Sequence, residues 1–315
     1  MPMKRFRTSS MSNFWAMRPS WRAVSGRPHY RRQGGQAKGA SPPGAAALQR
    51  TPSMSDNCEW RNEPMTRGDR MTARLATKRL PSLVTARIVG RRDLTDDLML
   101  LWLEVPPTFS FRPGQYITIG REGIERPYSI VSAPHELPRV ELFIELVRRG
   151  KLTPRLWRLG EGDVVTMRPR AKGLFTFEPR YRHHLMVATV TGIAPFVSIL
   201  RDYLHRGPQG HRFYVLHGAS YRDEFGYAEE LRELSQRFPD IVAYVPTVSR
   251  PHEERNVGWT GETGRVNTIV EKYIERFGLR PEDTLVYACG HSGMIEDVKA
   301  RLAPGGWRVK EEHYT

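Results

Sequence analysis

Arg126-Pro127-Tyr128-Ser129 opens a predicted strand and sets a guanidinium, a phenol ring and a hydroxyl on alternating sides of one extended segment. A guanidinium can fork onto a pyrophosphate, a phenol can lie flat on an isoalloxazine, and a hydroxyl can hydrogen-bond a ring nitrogen. The tetrapeptide therefore suits a flavin dinucleotide, although an ordinary strand after a turn could carry the same residues. Further on, Gly150-Lys151-Leu152-Thr153 precedes a helix predicted over 153–159. Free N–H groups at a helix start attract anions and Gly150 would admit a phosphate closely, with a plain Thr helix cap as the alternative. Together the two segments favour a bound cofactor. A third segment, Val187 to Pro195, runs from a predicted strand into a helix, where open α/β sheets bind nucleotides. It lacks the three-glycine dinucleotide fingerprint.

Two kinds of architecture must position these groups. Six β-rich runs (83–89, 98–105, 115–119, 128–131, 140–147 and 164–168) fall within a hundred residues and predict a small antiparallel barrel. From 181 onward strands at 185–189, 213–217, 241–248 and 284–288 alternate with helices at 194–205, 227–238, 266–277 and 292–302. That alternation predicts a parallel sheet covered by helices on both faces. The boundary falls near Pro179.

Of the 315 residues, 49 are Lys or Arg and 34 Asp or Glu, a formal charge of +15. Residues 1–79 hold 16 basic and 4 acidic side chains, so the excess belongs to this extension and the remainder is near neutral. Up to Ser55 it has no acidic residue and is rich in Arg, Ser, Pro, Gly and Ala, which predicts disorder. A transit peptide or nucleic-acid arm fits that composition. An upstream extension of the reading frame, with synthesis starting at Met54, Met65 or Met71, fits better. Cys58 and Cys289 are the two cysteines, too few for a disulfide framework or an iron–sulfur cluster, and a cytoplasmic setting suits them. No metal site is expected. The most apolar window, 185–200, is interrupted by Thr189, Thr191, Gly192, Pro195 and Ser198, so no membrane anchor is expected.

Arg-Pro-Tyr-Ser, Gly-Lys-Leu-Thr-Pro-Arg-Leu, Thr-Gly-Ile-Ala-Pro-Phe, Val-Ser-Arg at 248–250, Thr-Gly-Glu-Thr-Gly-Arg-Val at 260–266, Ala-Cys-Gly at 288–290 and the terminal Glu-His-Tyr-Thr occur in one order. In that order, over 82–315, the chain resembles the bacterial-type ferredoxin/flavodoxin–NADP reductases. The resemblance implies a β plus α/β protein, with an antiparallel six-stranded FAD-binding β-barrel domain (80–180) and a parallel-sheet NADP-binding α/β domain (181–315), which follow the extension (1–79) whose composition predicts disorder. It implies FAD and NADP(H) as cofactors and ferredoxin or flavodoxin as an acidic partner; a monomer is expected, and the hydropathy and charge distribution above speak against membrane and nucleic-acid partners.

By the same resemblance Arg126, Pro127, Tyr128 and Ser129 bind the flavin, with Tyr128 stacked on the ring and Ser129 near its N5. Gly150, Lys151, Leu152 and Thr153 resemble the pyrophosphate loop, and Leu146 and Val147 before it also bind the cofactor. Thr191 and Gly192 meet the nicotinamide nucleotide, and Ser249, Arg250 and Arg265 the 2′-phosphate. Ser129, Cys289, Glu312 and Tyr314 make up the catalytic set, in which Cys289 borders the nicotinamide, Tyr314 covers the other flavin face and Glu312 relays protons. Arg148, Arg149 and Lys151 would face the acidic partner.

The chain departs from the family at Val190, where a Gly is common, and at Ser220, where the bacterial enzymes often have Arg; Arg222 is a substitute. Thr315 stands where some relatives carry Trp. A free-flavin reductase or the reductase component of an oxygenase keeps the same fold, and a nucleic-acid-binding protein acting through its basic extension is the reading from another class. Two further groups look unremarkable: His183-His184 reads as a solvated pair, and Glu229-Glu230-Leu231-Arg232-Glu233 as the wet face of an amphipathic helix.

Overall fold

The computed structural model describes residues 82–314; the expectations for residues 1–79, and for Thr315, lie outside them. The described residues belong to one compact unit. Its first sheet comprises β1 (Val84–Asp93), β2 (Leu98–Glu104), β3 (Tyr116–Arg121), β4 (Ile124–Ser129), β5 (Arg139–Glu145) and β6 (Val164–Met167). All pairings are antiparallel, in the order β4-β3-β6-β1-β2-β5. The end strands meet through an Ile130–Leu142 bridge, and the Val131 N–H donates to the Glu141 carbonyl at 2.9 Å, which nearly closes the barrel.

Strand β2 shows why its run is apolar throughout. Met99, Leu101 and Leu103 fill the barrel interior, whereas Leu98 and Leu100 face the other way into a core shared with the second sheet. A strand buried on both faces needs no polar alternation. Arg126-Pro127-Tyr128-Ser129 closes β4 rather than opening a strand. The hairpin before it turns at Glu122 and Gly123, both with positive φ (53° and 77°), and Pro127 is tolerated because β4 pairs with β3 alone. The helix predicted over 153–159 is a single turn, α1 (Thr153–Leu156).

The second sheet is parallel throughout, in the order β10-β9-β8-β7-β11-β12. Its strands are β7 (His183–Thr189), β8 (Arg212–Ala219), β9 (Val242–Val248), β10 (Glu262–Thr263), β11 (Thr284–Gly290) and β12 (Arg308–His313). Helices α2 (Ala194–Arg206) and α3 (Ala228–Arg237) cover one face, and α4 (Val270–Phe277) and α5 (Ser292–Leu302) the other. A 3-10 turn at Val266–Ile269 takes the first part of the helix expected over 266–277. Strands β10 and β12 were not expected: one has two residues, and the other reads Arg-Val-Lys-Glu-Glu-His with almost no apolar signal. Among the described residues no helix is long and apolar enough to cross a membrane.

The core between barrel and sheet carries a polar seam. Ser198 Oγ of α2 donates to the Ser132 carbonyl at 2.7 Å. Arg201 of α2, 1% exposed, meets Glu141 of β5 at 2.7 Å and Glu230 of α3 at 2.7 Å. Glu230 thus faces inward, contrary to its reading as part of a wet face, because a buried guanidinium requires carboxylate partners.

His184 is also not solvated. It is fully buried, stacked on Phe213 at 5.0 Å, and neither ring nitrogen makes a hydrogen bond of ordinary geometry. Burial pushes its pKa down to about 3 from the usual 6.5. Folding therefore favours the neutral ring: the stability is intact above about pH 6.5 and is lost as pH falls from there toward 3. His184→Phe is expected to be more stable than the parent at pH 5, by about 2 kcal/mol, and to flatten the acid limb of stability. Urea unfolding at pH 5 and pH 8 measures this; an equal effect at both pH values contradicts it.

Candidate functional site

Strand β7 has β8 on one side and β11 on the other, so the chain's path across the sheet reverses there. Crevices at such reversals, outside the carboxyl ends of the strands, are where open α/β sheets bind ligands. A 3-10 turn at Val190–Ile193 follows β7, and only glycine fits at 192: a Cβ there would lie 2.2 Å from the Cys289 carbonyl oxygen. This close approach sets Thr191 against the end of β11. Thr189 Oγ1 accepts from the His291 N–H at 2.9 Å, which ties the ends of β7 and β11 together.

Register then delivers the C-terminus. Cys289 pairs with Glu312 and Gly290 with His313 along β11 and β12, and the Tyr314 N–H donates to the Gly290 carbonyl at 3.2 Å. From the barrel, Ser129 at the end of β4 donates its hydroxyl to Glu312 Oε2 at 3.0 Å. The Tyr314 hydroxyl donates to Ser129 Oγ at 3.0 Å and lies 3.4 Å from the Thr191 carbonyl. Ser129 of the barrel and Cys289, Glu312 and Tyr314 of the C-terminal strands thus form one cluster, with Thr191 and Gly192 beside it. Burial pushes Glu312 up to about 7, well above an ordinary carboxyl. Burial likewise raises the Cys289 thiol and the Tyr314 phenol, with Glu312 adding to both, so both are protonated at neutral pH.

The barrel-side loop is built differently from the expectation. Thr153 does not cap a helix; its Oγ1 accepts from the Val147 N–H at 3.0 Å and donates to the Val147 carbonyl at 3.1 Å, which closes the 147–153 loop. Gly150 serves the same closure, since a Cβ there would lie 2.9 Å from the Val147 oxygen. With one turn, α1 has little dipole to offer. Leu152 is buried in the barrel core and Leu146 is half-buried, whereas Val147, Arg148, Arg149 and Lys151 are exposed. Arg155 of α1 pairs with Glu122 at the β3–β4 turn at 2.7 Å, linking this loop to the hairpin that carries Arg126 and Tyr128. Tyr128 is half-buried on the barrel core, where burial raises its phenol pKa. Arg126 is exposed and donates to the Glu125 carbonyl; neither it nor Lys151 has a carboxylate partner among the described residues.

Ser249, Arg250 and Arg265 lie where chain leaves β9 and enters the Val266 turn, and both arginines are exposed. Sequence reasoning missed what surrounds them. Arg250 Nη1 donates to the Tyr221 hydroxyl at 2.9 Å, and Tyr221 in turn donates to Glu253. Arg255 stacks 3.8 Å from the centroid of Tyr221 and pairs with Asp223 at 2.7 Å. The charge-rich run from 250 to 255 was the available signal. Arg222 is held on the Val257 carbonyl at 2.7 Å, and Arg265 has no ion-pair partner among the described residues.

Residues 85–176 match the family model for the oxidoreductase FAD-binding domain, and residues 186–300 that for the oxidoreductase NAD-binding domain. Ferredoxin–NADP reductase B of Sorangium cellulosum is 34% identical over 72% of this chain and 94% of its own length. The flavodoxin/ferredoxin–NADP reductase of Escherichia coli is 30% identical over 69% of this chain and 88% of its own. A ferredoxin NADP+ reductase from Neisseria gonorrhoeae, solved with bound FAD and NADP, superposes with a TM-score of 0.64 at 25% identity, covering 73% of this chain and 98% of that one. With these likenesses laid over the barrel, the parallel sheet and the cluster between them, the chain belongs to the ferredoxin/flavodoxin–NADP reductase family of oxidoreductases, with an FAD-binding and an NAD(P)-binding domain.

Proposed function

We propose that this enzyme transfers a hydride between NADP(H) and FAD and passes single electrons between FAD and ferredoxin or flavodoxin, as a cytoplasmic monomer. The observation that carries the reading is the meeting of Ser129, Cys289, Glu312 and Tyr314 at the reversal point of the sheet. FAD, when bound, supplies the conversion between two-electron and one-electron chemistry.

The donor set fits that group. Arg126 and Lys151 offer cationic donors that no carboxylate among the described residues neutralises, and these suit a pyrophosphate. Tyr128 supplies an aromatic face beside the Ser129 hydroxyl, with Val147 as an exposed apolar neighbour of the loop. Arg250, Arg265 and Ser249 bind the 2′-phosphate of the coenzyme, and two guanidiniums against a dianion favour NADP over NAD. Thr191 and Gly192 carry the nicotinamide end toward Cys289, which remains a neutral thiol. Tyr314 touches Ser129 and the Thr191 carbonyl, so a nicotinamide entering that space displaces its ring. Arg148, Arg149 and Lys151 attract an acidic partner by a salt-sensitive field.

Purified enzyme with flavin absorbance that reduces an artificial acceptor faster with NADPH than with NADH supports this reading. Preference for NADH removes the role given to Arg250 and Arg265. Tyr128→Ala is expected to weaken FAD binding about 5- to 10-fold, from the loss of a stacking contact. Flavin fluorescence on dilution measures it, and undiminished occupancy opposes the stacking role.

A further inference from the structure

The loop after β7 holds a β-branched residue in a backbone region that favours glycine. Val190 has φ +42°, a conformation that such a side chain keeps only when its surroundings impose it. The imposing contact is visible. His217 Nε2 lies 3.0 Å from the Val190 carbonyl, and His217 Nδ1 lies 3.2 Å from the Tyr244 hydroxyl. A carbonyl only accepts, so Nε2 carries the proton and Nδ1 accepts from Tyr244. His217 is fully buried on β8, with Phe225 edge-on to its ring at 4.9 Å, and Tyr244 is on the adjacent β9. The valine side chain packs against the cluster of Ala219, Phe225, Ala228 and Val248. Downstream there is no slack, because Gly192 is wedged on the Cys289 carbonyl. A rotation at Val190 must therefore move Thr191.

We propose that Tyr244 and His217 act as a clamp on the Val190 carbonyl, holding the valine in its left-handed conformation and so presenting Thr191 and Gly192 to the nicotinamide nucleotide. His217 is a positioning residue that acts through Val190. The inference rests on the reading of this loop as the coenzyme site. It makes one demand that a merely structural histidine would not: the need for the clamp disappears when residue 190 is glycine, which takes φ +42° unaided.

The test is a double-mutant cycle on the FAD-loaded protein, with NADP+ affinity read by titration calorimetry and folding by thermal unfolding. His217→Leu is expected to weaken NADP+ binding about 10- to 100-fold. In the Val190→Gly background the same His217→Leu change is expected to leave affinity within about 3-fold of Val190→Gly alone. Equal weakening in both backgrounds, or none in either, overturns the clamp. If His217→Leu does not fold, Tyr244→Phe carries the cycle, with a smaller weakening that glycine at 190 again abolishes. Failure of the unsubstituted protein to bind NADP+ or NAD+ overturns the coenzyme reading itself and the clamp with it, a result distinct from the other outcomes.

Discussion

Replacement of Arg201 by methionine is expected to destabilise the protein by about 3–5 kcal/mol, because it leaves buried carboxylates without their cation. Glu141 of β5 and Glu230 of α3 both lie 2.7 Å from the guanidinium, and Glu136 lies 3.5 Å away. Tyr227 closes the network: its hydroxyl donates to Glu141 Oε1 at 3.0 Å, and its ring lies 5.7 Å from the guanidinium carbon. Methionine fills much of the volume, so the loss reports charge rather than cavity. Adding Glu141→Leu to Arg201→Met is expected to restore part of the stability, since a buried charge cluster replaced by apolar groups is often neutral. Urea unfolding at pH 7 gives both numbers. A single-variant cost under about 1 kcal/mol contradicts the account, as that is the range of solvated pairs. The network joins β5 of the barrel to α2 and α3 of the sheet domain.

Much of this arrangement could be read from the chain, and the failures share a cause. Strands with apolar runs, such as β2, β7 and β11, were legible because burial on both faces leaves an unbroken signal. β12 was not, because an edge strand that pairs on one side and meets solvent on the other can be almost wholly polar. Yet β12 is what brings Glu312 opposite Cys289, so the residues at 312 and 314 were named by likeness to a family and not by any local pattern. Gly192 showed as a glycine, but the carbonyl that demands it is 97 positions away. Glu230 and His184 were misread because charge and imidazole are surface-like by composition, and the buried partners that hold them, Arg201 and an aromatic cluster, are set by tertiary contact.

On the proposed function, in which the Ser129 hydroxyl serves the flavin ring, Ser129→Ala is expected to slow hydride transfer about 100- to 1,000-fold, the usual effect of deleting a preorganised donor at a reacting centre. Burial pushes the Glu312 carboxyl up to about 7. Above that value the carboxylate accepts the Ser129 hydroxyl proton across 3.0 Å, and the serine has no proton to offer elsewhere. Below it the neutral carboxyl can donate to Ser129 Oγ, which also accepts from Tyr314, and the serine proton is released toward the crevice. The hydride-transfer rate should therefore fall as pH rises through about 7. Glu312→Gln carries an amide that donates at every pH, so this variant should show a flat profile, and Ser129→Ala should lose the inflection along with the rate. Stopped-flow reduction of the flavin between pH 5.5 and 8.5 measures all three proteins, within a range of roughly 1.5 units on either side of the expected midpoint. An inflection that survives in Glu312→Gln assigns the titration to another group and separates Glu312 from the proton on Ser129.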